Sequence, residues 1–268
     1  MHRHVKWRLW QARWFRVWVL MVSTALGMAV VFEATGNQAV VPAAIFYGAA
    51  AGPVAMLVAT HDRTGVGERV PPASLLSTFL FGGGVALMLA GLFDASLIKD
   101  EHGPQILAVG FIEESAKLLV PLGIALTGQY LTKGGGVALG LACATGFAVL
   151  ESMSYGYTAL KAGGLVQAEG TLLVRGLTTP FSHLAWTGFA CAVAFGVWER
   201  HGRVVWTAAV FGGWLLAAVL HSANDSLLSI GSLPAWRWAL YLIVAAISYS
   251  LFHRATRGLR PYEVGLPA

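Results

Sequence analysis

Eight apolar stretches, each about as long as a lipid hydrocarbon core is thick, dominate this 268-residue chain and restrict it to one kind of fold. Crossing ~30 Å of hydrocarbon takes about 20 mostly apolar residues in a helix, and inside lipid every backbone N–H and C=O must find its partner within the protein. Continuous apolar runs, without the long alternating patterns of a barrel, meet that demand as helices. Gly-rich and charged breaks predict spans near 15–34, 40–60, 74–94, 104–127, 135–160, 172–198, 204–229 and 235–253. Apolar residues at 56% against charged residues at 12% exclude a soluble globular domain. The expected fold class is all-α, a polytopic transmembrane helix bundle of about eight spans.

Basic residues orient the bundle. Arg3, Lys6, Arg8, Arg13 and Arg16 at the start, Arg63, Arg69, Lys133, Arg200 and Arg203 between spans, and Arg254, Arg257 and Arg260 at the end fall on one side. Lys99, Lys161, Arg175 and Arg237 fall on the other, so the positive-inside bias predicts cytoplasmic N- and C-termini. The net charge of +5 thus reports topology, and nucleic acid is not needed to explain it. Trp7, Trp10, Trp14 and Trp18, interleaved with the first basic residues, suit an amphipathic run at the inner interface. The apolar run that follows is full-length and lacks a clear small-residue cleavage site, so no cleaved signal peptide is expected. The expected organisation is a basic N-terminal segment over 1–14, one membrane-embedded domain over 15–254 and a cytoplasmic tail over 255–268. Outer loops are expected around Lys161 to Gly170 and Asp94 to Gly103. Cys143 and Cys191 both fall inside spans and read as reduced packing residues.

Six ionisable side chains interrupt the apolar runs: Glu113, Glu114, Glu151, His183, His221 and Asp225. A carboxylate at membrane depth is costly unless it is paired, protonated or bound to a cation, so each is a candidate functional residue. In the fourth span Lys117 lies one helical turn from Glu113 and Glu114, able to pair with either and leave the other free. In the fifth, Phe147 and Glu151 share a face, beside a small-residue stripe of Gly136, Gly140, Ala144 and Ala148 that lets a neighbouring helix approach closely. His183 is expected one to two turns inside the sixth span, where Pro180 loosens the helix. His221 and Asp225, four residues apart, face one centre together, with Asn224 at the same depth. Taken singly, each also has a packing explanation, as a buried ion pair, a protonated acid or a helix-end cap. Counting ~1.5 Å per residue from the expected span ends puts all six in the outer half of the bilayer, which unrelated packing residues would have no reason to share.

The motifs Glu113-Glu114-x-x-Lys117, Phe147-x-x-x-Glu151, His183 followed by Trp186-Thr187, and His221-x-x-x-Asp225 resemble those of the PrsW family of intramembrane proteases, distant relatives of the CAAX-processing and bacteriocin-immunity membrane proteases. The resemblance spans roughly 105–228. It implies an intramembrane endopeptidase of a bacterial-type plasma membrane, which cleaves a single-pass or membrane-anchored protein such as an anti-sigma factor near its extracytoplasmic side. It also implies a glutamate that activates water with histidines assisting, and in some members a metal. Where CAAX-type relatives have His in the second motif and Asn in the fourth, this chain has Glu151 and Asp225, a more anionic centre. It has no His-Glu-x-x-His motif and is not a zincin of that type.

Peptide hydrolysis needs an activated water and a stabilised oxyanion. On this reading Glu113 is the base, and Glu114, Glu151, His183, His221 and Asp225 form the pool of metal ligands and oxyanion donors. Lys117, Phe147 and Asn224 support them. Carboxylates with imidazoles suit one divalent ion, Zn²⁺ among them, and no organic cofactor is expected. Two other classes use the same residues: a proton- or cation-coupled transporter, and a non-catalytic scaffold that binds a membrane partner. Few ionisable residues lie deep on the cytoplasmic side, which favours the protease. The oligomeric state is not legible.

Overall fold

The computed structural model describes residues 11–98, 105–228 and 235–261. Trp7, Trp10, Lys99 and the end of the C-terminal tail lie outside these residues. The described chain forms helices α1 (Arg13–Thr35), α2 (Val41–Thr64), α3 (Pro72–Ser77), α4 (Gly83–Leu97), α5 (Ile106–Leu126), α6 (Lys133–Thr178), α7 (His183–His201), α8 (Ala208–Leu228) and α9 (Ala235–Ala255), with no strand among them. A π-turn over Thr78–Gly82 joins α3 to α4. Five segments are long and apolar enough to cross a membrane: Arg13–Thr35, Gln38–Thr64, Pro72–Leu97, Lys133–His201 and Trp236–Ala255. α5 and α8 are not among the five. They are the helices that carry Glu113, Glu114 and Lys117, and His221, Asn224 and Asp225.

Local chemistry sets the helix ends. Gly36 follows α1 in the left-handed conformation (φ 67°), and its N–H closes the last turn on the Phe32 carbonyl at 2.7 Å. Thr132 caps α6 by accepting the Gly135 N–H at 3.1 Å. Every residue from Gly134 to Val149 is buried, so α6 is the axis of the bundle. The small-residue stripe does let a neighbour in: a side chain added at Gly136 would run into Phe195, and one at Gly140 into Cys191, both on α7.

The 161–170 region is not the loop expected from sequence. α6 continues through it, broken only at Gly163 (φ −151°, ψ 21°) and Gly164 (φ 77°, ψ −171°), the latter a conformation that only glycine adopts readily. The break folds the helix into two antiparallel limbs, 133–162 and 165–178, with Leu172 against Gly156. The second limb is helical because it has an apolar surface to cover: Leu172 packs into a cluster with Val41, Ile45 and Ala49 of α2. The expected 172–198 span is likewise divided. Thr179–Phe181 form a 3₁₀ turn around Pro180, which has no N–H to give, and Ser182 (φ −115°, ψ −101°) turns the chain into α7. His183 is therefore the first residue of α7, not one to two turns inside a helix.

Basic residues collect at one end of the bundle. There Arg13 pairs with Asp62 at 3.0 Å, Arg63 bonds Thr256, Arg69 bonds the Arg260 carbonyl, and the Lys133 N–H bonds Glu199. Between that end and the polar residues lies the main apolar cluster, including Val137, Leu141, Leu184, Phe195, Trp198 and Phe252.

Candidate active site

Four helices bring the polar residues to one depth. Glu113 and Glu114 sit on α5, Glu151 on α6, His183 at the start of α7, and His221 and Asp225 on α8. From the basic end, Glu151 is ~27 Å along α6 and His221 ~20 Å along α8, counted at 1.5 Å per residue. The structure thus joins all six residues singled out in the sequence.

Lys117 is the hub. Its side chain is 0% exposed, and its ammonium has three N–H donors and no acceptor. All three are used: Glu113 Oε2 at 3.1 Å, Glu114 Oε1 at 2.8 Å and His183 Nδ1 at 2.8 Å. The Phe147 ring lies 4.2 Å from the same ammonium. Pairing with one glutamate at the expense of the other, as the spacing alone allowed, is not what happens. Because Nδ1 of His183 accepts from Lys117, its ring proton belongs on Nε2, which donates to Glu151 Oε2 at 3.1 Å.

The two adjacent glutamates have different environments. Glu114 is fully enclosed: Oε1 takes Lys117 and His221 Nδ1 (3.0 Å), and Oε2 takes the Thr187 hydroxyl (2.8 Å). It orients the groups around it. Glu113 lines a cavity of about 590 Å³, shared with Asp94, Glu151, Tyr155, Arg175, His183, Asn224, Asp225 and Tyr241. His221 is stacked on Trp186 with ring centroids 4.3 Å apart, and the Trp186 indole is itself held by Ser248 at 2.7 Å.

The ring nitrogens of His221 both face carboxylates. A carboxylate only accepts, so Nδ1–H donates to Glu114, and a neutral ring then turns the lone pair of Nε2 toward Asp225 Oδ2 (3.2 Å) and Glu113 Oε2 (3.5 Å). Lone pairs converging on one point need a cation between them, either a proton or a metal ion. The charge count agrees. Four carboxylates in the hydrogen-bonded network, Glu113, Glu114, Glu151 and Asp225, meet two cations among the described residues, Lys117 and Arg175. With neutral imidazoles the centre carries two negative charges, which one divalent ion would balance. Glu113, His183 and His221 offer donor atoms within 4.8 Å of one another. The donors fit a divalent metal if His183 turns its Nδ1 lone pair from Lys117 to the ion and keeps its Nε2–H on Glu151, with Glu114 behind His221 in the carboxylate–histidine arrangement that fixes a ligand imidazole.

Three residues at the site were not singled out from sequence. Arg175, taken for an outer basic residue, bonds Glu151 Oε2 at 2.5 Å and Ser152 Oγ at 2.9 Å. Asp94, placed in an outer loop, lies on α4 and lines the cavity, and its Oδ1 has no hydrogen-bond partner among the described residues. Thr187, seen only as part of a motif, is the donor to Glu114. The Gly163-Gly164 doublet is the signal that could have found Arg175, because a chain reversal there carries residue 175 back to residue 151.

An all-helical bundle with apolar membrane-length segments, enclosing acids and imidazoles around a cavity, defines the class of polytopic membrane proteins with a buried polar centre. A family model for PrsW family intramembrane metalloproteases matches residues 70–252, and the chain belongs to that family. No curated protein and no solved structure matches it. Family membership makes the protein a membrane-embedded peptide hydrolase, with a membrane protein as substrate and a metal ion as its implied cofactor.

Proposed function

We propose that the chain hydrolyses a peptide bond of a single-pass or membrane-anchored protein, an anti-sigma factor being the kind of substrate the family resemblance suggests. The cut is made near the extracytoplasmic face of a bacterial-type plasma membrane, by a bundle of eight spans with both termini in the cytoplasm. Residues 15–254 make up the protease domain. One observation carries the reading: Glu113 is the cavity-lining carboxylate whose Oε2 is held by Lys117 and approached by both His183 and His221. In this role Glu113 takes the proton of the attacking water. Asn224, which gives one Nδ2–H to Asp225 on the cavity wall, has the second to donate to the carbonyl oxygen as it gains charge. Glu114, Thr187 and Lys117 hold the imidazoles in place. A divalent ion, zinc by the nature of the donors, would be held by Glu113, His183 and His221 beside Asp225, and would supply Lewis-acid polarisation and a more acidic water. With Glu113 engaged in that way, Asp225, whose Oδ2 lies 3.2 Å from His221 Nε2, is the carboxylate beside the ion's site that would accept the proton.

A transporter would need a polar route to both faces. The apolar cluster between the centre and the basic end favours access from one side only.

Replacing Glu113→Gln keeps the shape and removes the carboxylate, which is the base or, with an ion bound, one of its ligands. Cleavage is expected to fall by at least about a hundredfold, the usual weight of a general base, while the protein still inserts and folds. Comparing single-pass membrane proteins by quantitative proteomics in cells with wild type or Glu113→Gln would show the substrate accumulating, and equal cleavage by the two would sink the assignment. Metal analysis is a separate check. Purified protein should hold close to one equivalent of a divalent ion, lost in His221→Ala, whereas full activity in metal-free, chelator-treated protein would remove the metal from the scheme.

A further inference from the structure

Among the described residues Arg175 is the one guanidinium at the cavity, and nothing in the hydrolytic scheme above uses it. It lies on the short limb 165–178, between the Gly163–Gly164 break and the turn at Thr179–Ser182. From there it makes two bonds to the first limb, Nη2 to Glu151 Oε2 and Nε to Ser152 Oγ, and it lies over the Tyr155 ring at 4.2 Å. The same oxygen, Glu151 Oε2, receives the His183 Nε2–H. The hydrogen-bonded path therefore runs from Arg175 through Glu151 to His183 and on to Lys117 and Glu113. A glutamate has three rotatable bonds, and Arg175 and His183 are the only bonding partners Glu151 shows among the described residues. Removing the guanidinium frees the carboxylate to rotate away, and with it the acceptor that holds the His183 Nε2–H in place.

We propose that Arg175 is a positioning residue: seated with its limb against the first limb of α6, it fixes Glu151 and so sets the orientation of the His183 ring, whose tautomer Lys117 already fixes. The contact that orients one histidine thus belongs to a helical segment with a backbone break at each end. The other histidine, His221, is oriented by Glu114 and by the Trp186 ring stacked on it, and does not depend on Arg175.

This inference rests on reading His183 as part of the hydrolytic centre, but its test needs no substrate, so failed cleavage and failed positioning would be separate results. The full chain is labelled on its histidine ring nitrogens, reconstituted in lipid nanodiscs and observed by NMR, with His183 and His221 assigned from His183→Asn and His221→Asn. In the wild type His183 should show one protonated nitrogen, Nε2. Arg175→Gln is expected to shift and broaden the Nε2–H signal as its acceptor moves, with the proton still on Nε2 and the His221 signals in place, and Arg175→Lys, which keeps a cation beside Glu151, should restore it. An unchanged His183 in Arg175→Gln, joint changes at His183 and His221, or a lysine variant no better than glutamine would each overturn the proposal. Should Arg175→Gln fail to fold, Ser152→Ala, which removes only the Nε acceptor, carries the same test: a shifted and broadened Nε2–H at His183 alone supports positioning, and any other pattern overturns it.

Discussion

A single ammonium satisfies three buried groups here, and its replacement shows how the centre is balanced. Lys117→Met would leave Glu113 and Glu114 without their cation and His183 without its donor. Breaking a buried pair by removing one partner costs about 3–5 kcal/mol, so the variant is expected to show a much lower thermal midpoint in detergent or to fail to accumulate. Thr187→Val, which removes one neutral donor from Glu114, should cost less, about 1–3 kcal/mol, and a larger drop than for Lys117→Met would reverse this ranking. At this scale much was legible beforehand. Charged residues inside apolar runs are conspicuous, and Glu113, Glu114, Glu151, His183, His221 and Asp225 were visible for that reason. What sequence could not show is which carboxylate faces the cavity. Glu113 and Glu114 are neighbours with the same chemistry, and only the approach of Thr187 and His221 from other helices separates them.

Helix packing depends on a few places where backbones come close. A side chain at Gly146 of α6 would strike the Phe79 carbonyl in the π-turn before α4, whereas one at Gly84, a residue into α4, would meet open space. Gly146→Val is therefore expected to push the α3–α4 rod off α6 and to lower stability by about 1–3 kcal/mol or more, with Gly84→Ala as the tolerated comparison. Thermal unfolding followed by helical circular dichroism would read both, and equal midpoints would contradict the contact. The existence of the helices followed from their apolar runs, but the hairpin inside α6 did not. Lys161, Gln167 and Glu169 make its tip look like a loop, and the helix survives there because Leu165, Ala168 and Leu172 are buried against neighbours. That pairing links residues far apart in α6 and α2, and no local pattern encodes it.

For the molecule as a whole, orientation is the property that a simple labelling experiment decides. Arg203→Cys, at the basic end, and Lys161→Cys, beside the hairpin tip, lie at opposite ends of the bundle. With the basic end in the cytoplasm, a membrane-impermeant thiol reagent applied to intact cells should label the second and spare the first, and the reverse pattern would invert the topology. The hairpin has a further consequence. The limb 165–178 is ~21 Å long at 1.5 Å per residue, shorter than the ~30 Å of a typical hydrocarbon core, and it forms part of the cavity wall. Where lipid meets that wall, a bilayer of matching thickness would keep the cavity mouth at the interface, so bilayer thickness is expected to control how readily water and peptide reach Glu113. Cleavage should run faster in vesicles of short-chain than of long-chain phosphatidylcholine, which would make the acyl chains around this enzyme a determinant of its rate.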